Sequence, residues 1–212
     1  MTYYADLEVS VIDELPPGRK PVVTKLIKEN RRPEVVVGVQ QELAKGRQCY
    51  WVCPLIEESE VLQLKTALET FETLSNTLSE YSVGLIHGKL KAEEKSSIMA
   101  RFKDGQIQLL VSTTVIEVGV DVPNATLMVI EHAQRFGYAQ IHQLRGRVGR
   151  GAEQSVCILL YSDTLSSAAK ERLQTLRKSS DGFEIAEKDL ALRGPGELLG
   201  ARQSGDTMLR FV

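Results

Sequence analysis

The sequence predicts an α/β fold: a parallel sheet flanked by helices, with a helical hairpin and a shaped loop at its C-terminal end. Three observations predict it. Short apolar runs bounded by polar residues recur at 107–111, 127–130 and 156–160, the pattern of strands buried on both faces. Helical stretches alternate with these runs, as right-handed βαβ units require. After Tyr161 the strand pattern stops, and residues 164–192 read as two helices separated near Ser179, Ser180, Asp181 and Gly182.

Taken in order, residues 1–20 end in Leu15-Pro16-Pro17-Gly18-Arg19, a linker or turn. Val11-Ile12-Asp13-Glu14 superficially resembles the end of a Mg²⁺-binding strand, but two prolines follow at once and no phosphate loop precedes it. Strands are expected at 22–27 and 48–54, with a helix at 33–45 between them. A long amphipathic helix follows at 61–81, then a short strand at 82–87 and a helix at 92–103 that presents Ile98, Met99 and Phe102. Functional loops of such a sheet are expected at the carboxyl ends of its strands. Residues 191–205 hold glycines at 194, 196, 200 and 205, so a regular helix throughout is excluded and a shaped loop is expected.

Composition narrows the class. A chain of 212 residues can bury a substantial core. Its formal net charge of −2 gives no overall electrostatic pull toward nucleic acid, so any DNA contact must be local. No apolar run approaches the ~18 residues of a membrane span, and the N-terminus lacks signal-peptide features. No membrane partner and a cytoplasmic location are expected. Cys49, Cys53 and Cys157 sit in apolar runs and read as buried thiols, with Cys49 and Cys53 on one strand face. His87, His132 and His142 are too scattered to complete a zinc site, and no metal ligand is assigned.

The densest chemistry lies at 135–151, which contains four arginines and no acidic residue. If 138–148 is helical at about 100° per residue, Gln143, Arg147 and Arg150 fall within roughly 60° of one face, while Arg145 points the other way. Gly146 and Gly149 each cost about 1 kcal/mol in a helix. Such a segment needs a compensating reason, and a phosphate site supplies it, because an arginine fork holds phosphate oxygens bidentately. A solvated basic helix is the alternative.

Two further segments fall at sheet-edge loops. Gly88 and Lys89 follow a strand and precede a helix, a turn able to hold a backbone phosphate of nucleic acid. The stretch from Gly84 to Leu90 fails as a nucleotide phosphate loop: it is one residue short, and Leu90 stands where Ser or Thr must bind Mg²⁺. Ser112, Thr113 and Thr114 form a neutral cradle of hydroxyls and amides, or simply a helix cap. Gly119 and Asp121 are expected to bring one carboxylate back beside the same edge.

In sequence, the S-T-T turn, G-x-D at 119–121 and Q-x-x-G-R-x-G-R at 143–150 resemble motifs V and VI of superfamily 2 helicases, with His87-Gly88 similar to the short motif before them. The likeness narrows over residues 6–19, 141–151 and 181–200 to the RecG family of bacterial DNA translocases. Leu15-Pro16-Pro17-Gly18 and Arg193-Gly194-Pro195-Gly196 fit that family better than the transcription-repair coupling factor. The resemblance implies a RecA-like second motor domain over 21–162, after an inter-domain linker at 1–20, and a hairpin with a translocation-coupling loop over 163–212.

It also implies roles. Arg147 and Arg150 would act on the γ-phosphate of ATP, lined by Gln143, Gly119 and Asp121. Gly88, Lys89, Thr113 and Thr114 would grip DNA. Arg193 and Gln203, with Arg172 in the hairpin, would couple hydrolysis to movement. ATP with Mg²⁺ is the implied cofactor, and branched double-stranded DNA the implied partner. No G-x-x-x-x-G-K-[ST] occurs, so the metal and most phosphate contacts are expected from a first RecA-like domain. That domain and a wedge domain are expected in the intact protein, whose C-terminus is expected beyond Val212. This chain alone is expected to be inactive. His132 stands where the resemblance leads to asparagine. The rival readings are an inert nucleic-acid-binding module and a small nucleotide kinase, the latter disfavoured by the missing phosphate loop.

Overall fold

A computed structural model describes residues 20–53, 59–113 and 121–179. Six strands form one sheet: β1 (Val23–Lys28), β2 (Gln48–Val52), β3 (Val83–Ile86), β4 (Leu109–Ser112), β5 (Ala125–Ile130) and β6 (Val156–Tyr161). Every pairing is parallel, in the order β1-β6-β5-β2-β4-β3. The expected strands are all present, with ends shifted by one or two residues.

Alternation along the central strands divides the core into two layers. Cys49, Trp51, Leu109, Val111, Leu127 and Val129 face one side, packed by Val35, Val39 and Leu43 of α1 (Arg32–Ala44), by Ala67 and Leu74 of α2 (Glu60–Thr77), and by Leu78 that caps α2. The opposite set, Tyr50, Leu110, Met128, Cys157 and Leu159, meets α3 (Ala92–Lys103), α4 (Tyr138–Arg145) and α5 (Ser167–Lys178). A sheet covered on both faces needs apolar side chains on both. This is why β2, β4 and β5 read as unbroken apolar runs rather than alternating ones.

Helix starts follow local chemistry. Ser59 Oγ accepts from the amide of Leu62 and Ser166 Oγ from that of Ala169, each satisfying an orphan donor of the first turn. Pro33 occupies the first turn of α1, where its missing N–H costs nothing. Buried Gln48 donates to the carbonyls of Phe102 and Ile107, fastening the start of β2 to the end of α3. Cys49 and Cys53 share the first face as expected, and burial pushes the thiols of Cys53 and Cys157 up to about 12. They are protonated and unreactive at neutral pH.

His132 has φ 48° and ψ 48°. It is the non-glycine residue of the described chain with positive φ, in the left-handed region that asparagine and histidine tolerate better than most residues. That accounts for the asparagine expected there. His132→Asn is predicted to leave stability within about 0.5 kcal/mol, whereas β-branched His132→Val is predicted to cost about 1–2 kcal/mol. Urea denaturation of the two variants checks this.

The first arm of the expected hairpin is α5. The second arm, residues 1–19 of the expected linker at 1–20, and the loop bearing Arg193 and Gln203 lie outside the described residues.

Candidate functional site

Two corrections concern the arginine segment. α4 ends at Arg145 and not at residue 148. Gly146 caps it, a further turn closes through bonds from Arg147 N to Leu144 O and from Val148 N to Arg145 O, and Gly149 with φ 78° ends the turn. The segment also lies at the amino edge of the sheet, opposite the expected carboxyl edge. A Cβ placed on Gly149 would stand 2.7 Å from Val22 Cγ2, and one on Gly151 would stand 2.6 Å from the carbonyl of Pro123. Val22 and Pro123 precede β1 and β5. Asp121 belongs to that amino edge too and does not return beside Ser112 and Thr113.

These glycines are required by close approach. Gly151→Ala would drive a methyl group into a backbone carbonyl, and Gly149→Ala would add strain at positive φ. Each is predicted to cost about 1–3 kcal/mol. Thermal denaturation reads the loss.

At this edge the two arginines differ. Arg150 is fixed: its Nε donates to Gly146 O at 3.0 Å, and its Nη1 pairs with Asp121 Oδ1. Arg147 is half-buried, and its guanidinium has no hydrogen-bond or ion-pair partner among the described residues. Gln143 is exposed on the preceding turn. Beneath them the Tyr50 hydroxyl is buried without a hydrogen bond among the described residues, and burial pushes its pKa up to about 12 against the opposing pull of Arg147 and Arg150. One restrained and one open guanidinium on a single edge suit a phosphate whose charge grows during reaction.

The nucleic-acid candidates stand at the carboxyl edge. Gly88 and Lys89 are exposed in a turn closed by Leu90 N to His87 O at 3.2 Å. Thr113 is 5% exposed, and its amide donates to Ile86 O at 3.1 Å, so it is largely committed to the fold. Thr114 and Gly119 lie outside the described residues. Strands of four to six residues at ~3.3 Å each separate the two edges by roughly 13–20 Å. Thr113 and Asp121, eight positions apart in sequence, therefore stand at opposite ends of the sheet.

Sequence reasoning missed Arg145. It is 4% exposed, and its Nη1 donates to Ser179 O at 2.9 Å, Leu176 O at 3.1 Å and Thr24 Oγ1 at 3.4 Å. Burial lowers its pKa. The signal was present: Ile141, Leu144, Arg145 and Val148 keep the i, i+3, i+4, i+7 spacing of a core face. Arg172 of α5 meanwhile donates to Gln134 O in the turn before α4, and the Gln134 amide donates to Ser162 Oγ at 3.0 Å. α5 thus clamps α4 at both ends.

A second polar cluster caps the carboxyl edge at β5. Glu131, 8% exposed, accepts from Arg32 Nε at 2.6 Å, and the Arg32 guanidinium lies 4.9 Å from the Trp51 ring centroid. His132 Nε2 sits 3.0 Å from Glu29 Oε1.

The description "Helicase conserved C-terminal domain" matches residues 31–152, more than half of the chain. The chain belongs to this helicase C-terminal domain family. "ATP-dependent DNA helicase RecG, domain 3, C-terminal" matches residues 179–209, where the coupling tail was expected. The chain is 59% identical over its full length to the ATP-dependent DNA helicase RecG of Acidithiobacillus ferridurans, covering 31% of that protein, and 60% identical to that of Escherichia coli K12, again covering 31%. It is 50% identical over 97% of its length to the RecG of Bacillus subtilis. The RecG resemblance read from the motifs therefore holds along the whole chain, which spans about a third of these relatives.

A solved RecG bound to a three-way DNA junction superposes with a TM-score of 0.75 at 49% identity, covering 88% of this chain and 24% of that one. A yeast Dbp5 bound to RNA and ADP BeF₃ superposes at 0.55 with 19% identity, which shows the shared RecA-like fold. Among the described residues of this RecG-type domain, no helix is long and apolar enough to cross a membrane.

Proposed function

We propose that this RecG-type domain is the second motor domain of an ATP-dependent double-stranded DNA translocase. It would complete an ATP site whose phosphate loop and metal ligands belong to a first motor domain. The observation that carries the reading is the pair at the amino edge: Arg150 held by Asp121 and Gly146, beside an Arg147 side chain with no partner among the described residues.

ATP as substrate supplies a terminal phosphate on which negative charge develops during hydrolysis. Arg147, uncommitted, binds that charge directly. Arg150, already aimed by two bonds, needs little reorganisation and adds a second fork. Gln143 lines the same approach. The described residues gather no cluster of three metal-ligating side chains, so in this reading Mg²⁺ is held across the cleft.

Gly88 and Lys89 at the far edge hold DNA backbone phosphates through an amide and an ammonium, with Thr113 and Thr114 beside them. Cleft closure acts on α4, and α5 passes that movement toward Arg193 and Gln203 through Arg145 and Arg172. The domains span residues 21–162 for the motor and 163–212 for the coupling tail, after a linker at 1–20. The intact protein remodels branched DNA such as stalled forks and Holliday junctions. This chain alone does not turn over ATP.

The test is strand displacement on a three-way junction by the chain combined with the first motor and wedge domains. ATP-dependent displacement that disappears in Lys89→Glu supports the reading. DNA binding without displacement under any nucleotide condition would favour an inert binding module.

A further inference from the structure

A groove of about 750 Å³ runs along β1, the edge strand opposite β3, and ends at the last turn of α5. Its charged lining is Lys25, Arg31, Arg145, Arg177 and Lys178, with no Asp or Glu among the described lining residues. Arg31 is committed to Glu34. The other four have no carboxylate within ion-pair distance among the described residues. Arg145 forms the floor, and among the described residues the oxygen acceptors of its Nη1 are uncharged: the carbonyls of Leu176 and Ser179 at the end of α5 and the Thr24 hydroxyl.

A buried guanidinium loses hydration that neutral acceptors only partly replace. The partial negative charge at the C-terminus of α5 helps but amounts to about half an electron. Among the described residues the groove therefore has an unmet demand for anionic charge.

The chain carries a matching segment at the groove's own rim. Ser179 lines the cavity, and the next ten residues hold Asp181, Glu184, Glu187 and Asp189 against the single base Lys188. Five residues of chain reach up to roughly 17 Å, which brings Asp181 and Glu184 within range of Lys25 and Arg145. Tethering makes the encounter intramolecular, with an effective concentration on the order of millimolar. A separate acidic partner would have to compete with that.

We propose that the basic groove beside β1 is the docking site for the chain's own acidic segment at 181–189, whose carboxylates neutralise Arg145, Lys25 and Lys178. The docking requires no nucleotide. Its consequence for the motor rests on the proposed function: Arg145 is two residues from Arg147, so seating or release of the acidic segment would shift the strut that positions the ATP-facing arginines.

Hydrogen exchange on the 212-residue chain without nucleotide tests this, because the assay stands or falls separately from the ATP reading. The combined variant Lys25→Glu with Lys178→Glu changes two exposed side chains and spares the core, and exchange in β2 serves as the folding control. Amides at 181–189 are expected to exchange about tenfold faster in this variant than in wild type. Protection is expected to return when Asp181→Lys and Glu184→Lys are added. Equal exchange in wild type and groove variant, with β2 protected in both, would overturn the proposal. Unchanged exchange at 181–189 together with lost binding of a short DNA duplex would overturn it as well, and would assign the groove to nucleic acid.

Discussion

Arg150→Ala is expected to lower DNA-stimulated ATP turnover of the reconstituted motor by about 10³ to 10⁵, the range over which an arginine finger acts in phosphoryl transfer. ATP binding should weaken by less than about tenfold, because the proposed function puts most phosphate contacts in the other motor domain. The structure adds a graded companion. Asp121→Ala removes the carboxylate that holds Arg150 while leaving Gly146 O in place. Its effect is expected to be a loss of about tenfold, the cost of orientation rather than of the charge itself. Arg147 has no such partner among the described residues, so Arg147→Ala should act through charge alone and match Arg150→Ala within about tenfold. Steady-state turnover with a parallel equilibrium-binding assay separates these cases. Turnover near the wild-type rate in Arg150→Ala would remove that residue from the chemistry.

The second large effect is structural. Arg145→Ala should destabilise the domain by about 2–4 kcal/mol, since it leaves two buried carbonyls and the Thr24 hydroxyl without their donor and opens a cavity between α4, α5 and β1. For a domain of this size that corresponds to a fall of roughly 5–15 °C in Tm. Arg145→Met fills the space and removes the buried charge, so its cost should be smaller, about 1–2 kcal/mol. Arg145→Lys keeps the charge but cannot fork between two carbonyls and should resemble Met. Thermal denaturation of the three variants gives the order. A neutral Arg145→Ala would mean that α5 is held by other contacts and that Arg145 is no strut.

The fold was legible because its strands are buried on both faces. The runs at 107–111, 127–130 and 156–160 cannot be solvent-facing in any arrangement, and the helical periods between them dictate a parallel sheet. The pairing of Arg147 with Arg150 on one side was legible from spacing, although the helix that suggested it stops at Arg145.

The edge was misplaced for a reason that the order of elements already contained. α4 starts beyond the carboxyl end of β5 and rises about 12 Å over eight residues, roughly the length of a strand. Whatever follows it must lie at the amino edge. The crevice rule for open sheets describes a ligand held by the domain itself, whereas arginines offered to another domain, as proposed for Arg147 and Arg150, obey no such rule. Arg145 was overlooked because a charged residue at a core position reads as a break in the pattern. Thr113 looked available because a hydroxyl before a helix suggests a ligand, yet its place directly after buried β4 leaves it little surface.

The central claim is that Arg147 and Arg150 serve an ATP site completed by another domain. The most direct measurement is ATP hydrolysis by this chain alone, by the first motor domain alone and by their mixture, each with and without branched DNA. The account predicts no turnover from either part and DNA-stimulated turnover from the mixture, lost when the chain carries Arg147→Ala or Arg150→Ala. Hydrolysis by this chain alone, or a mixture indifferent to both arginines, would contradict it.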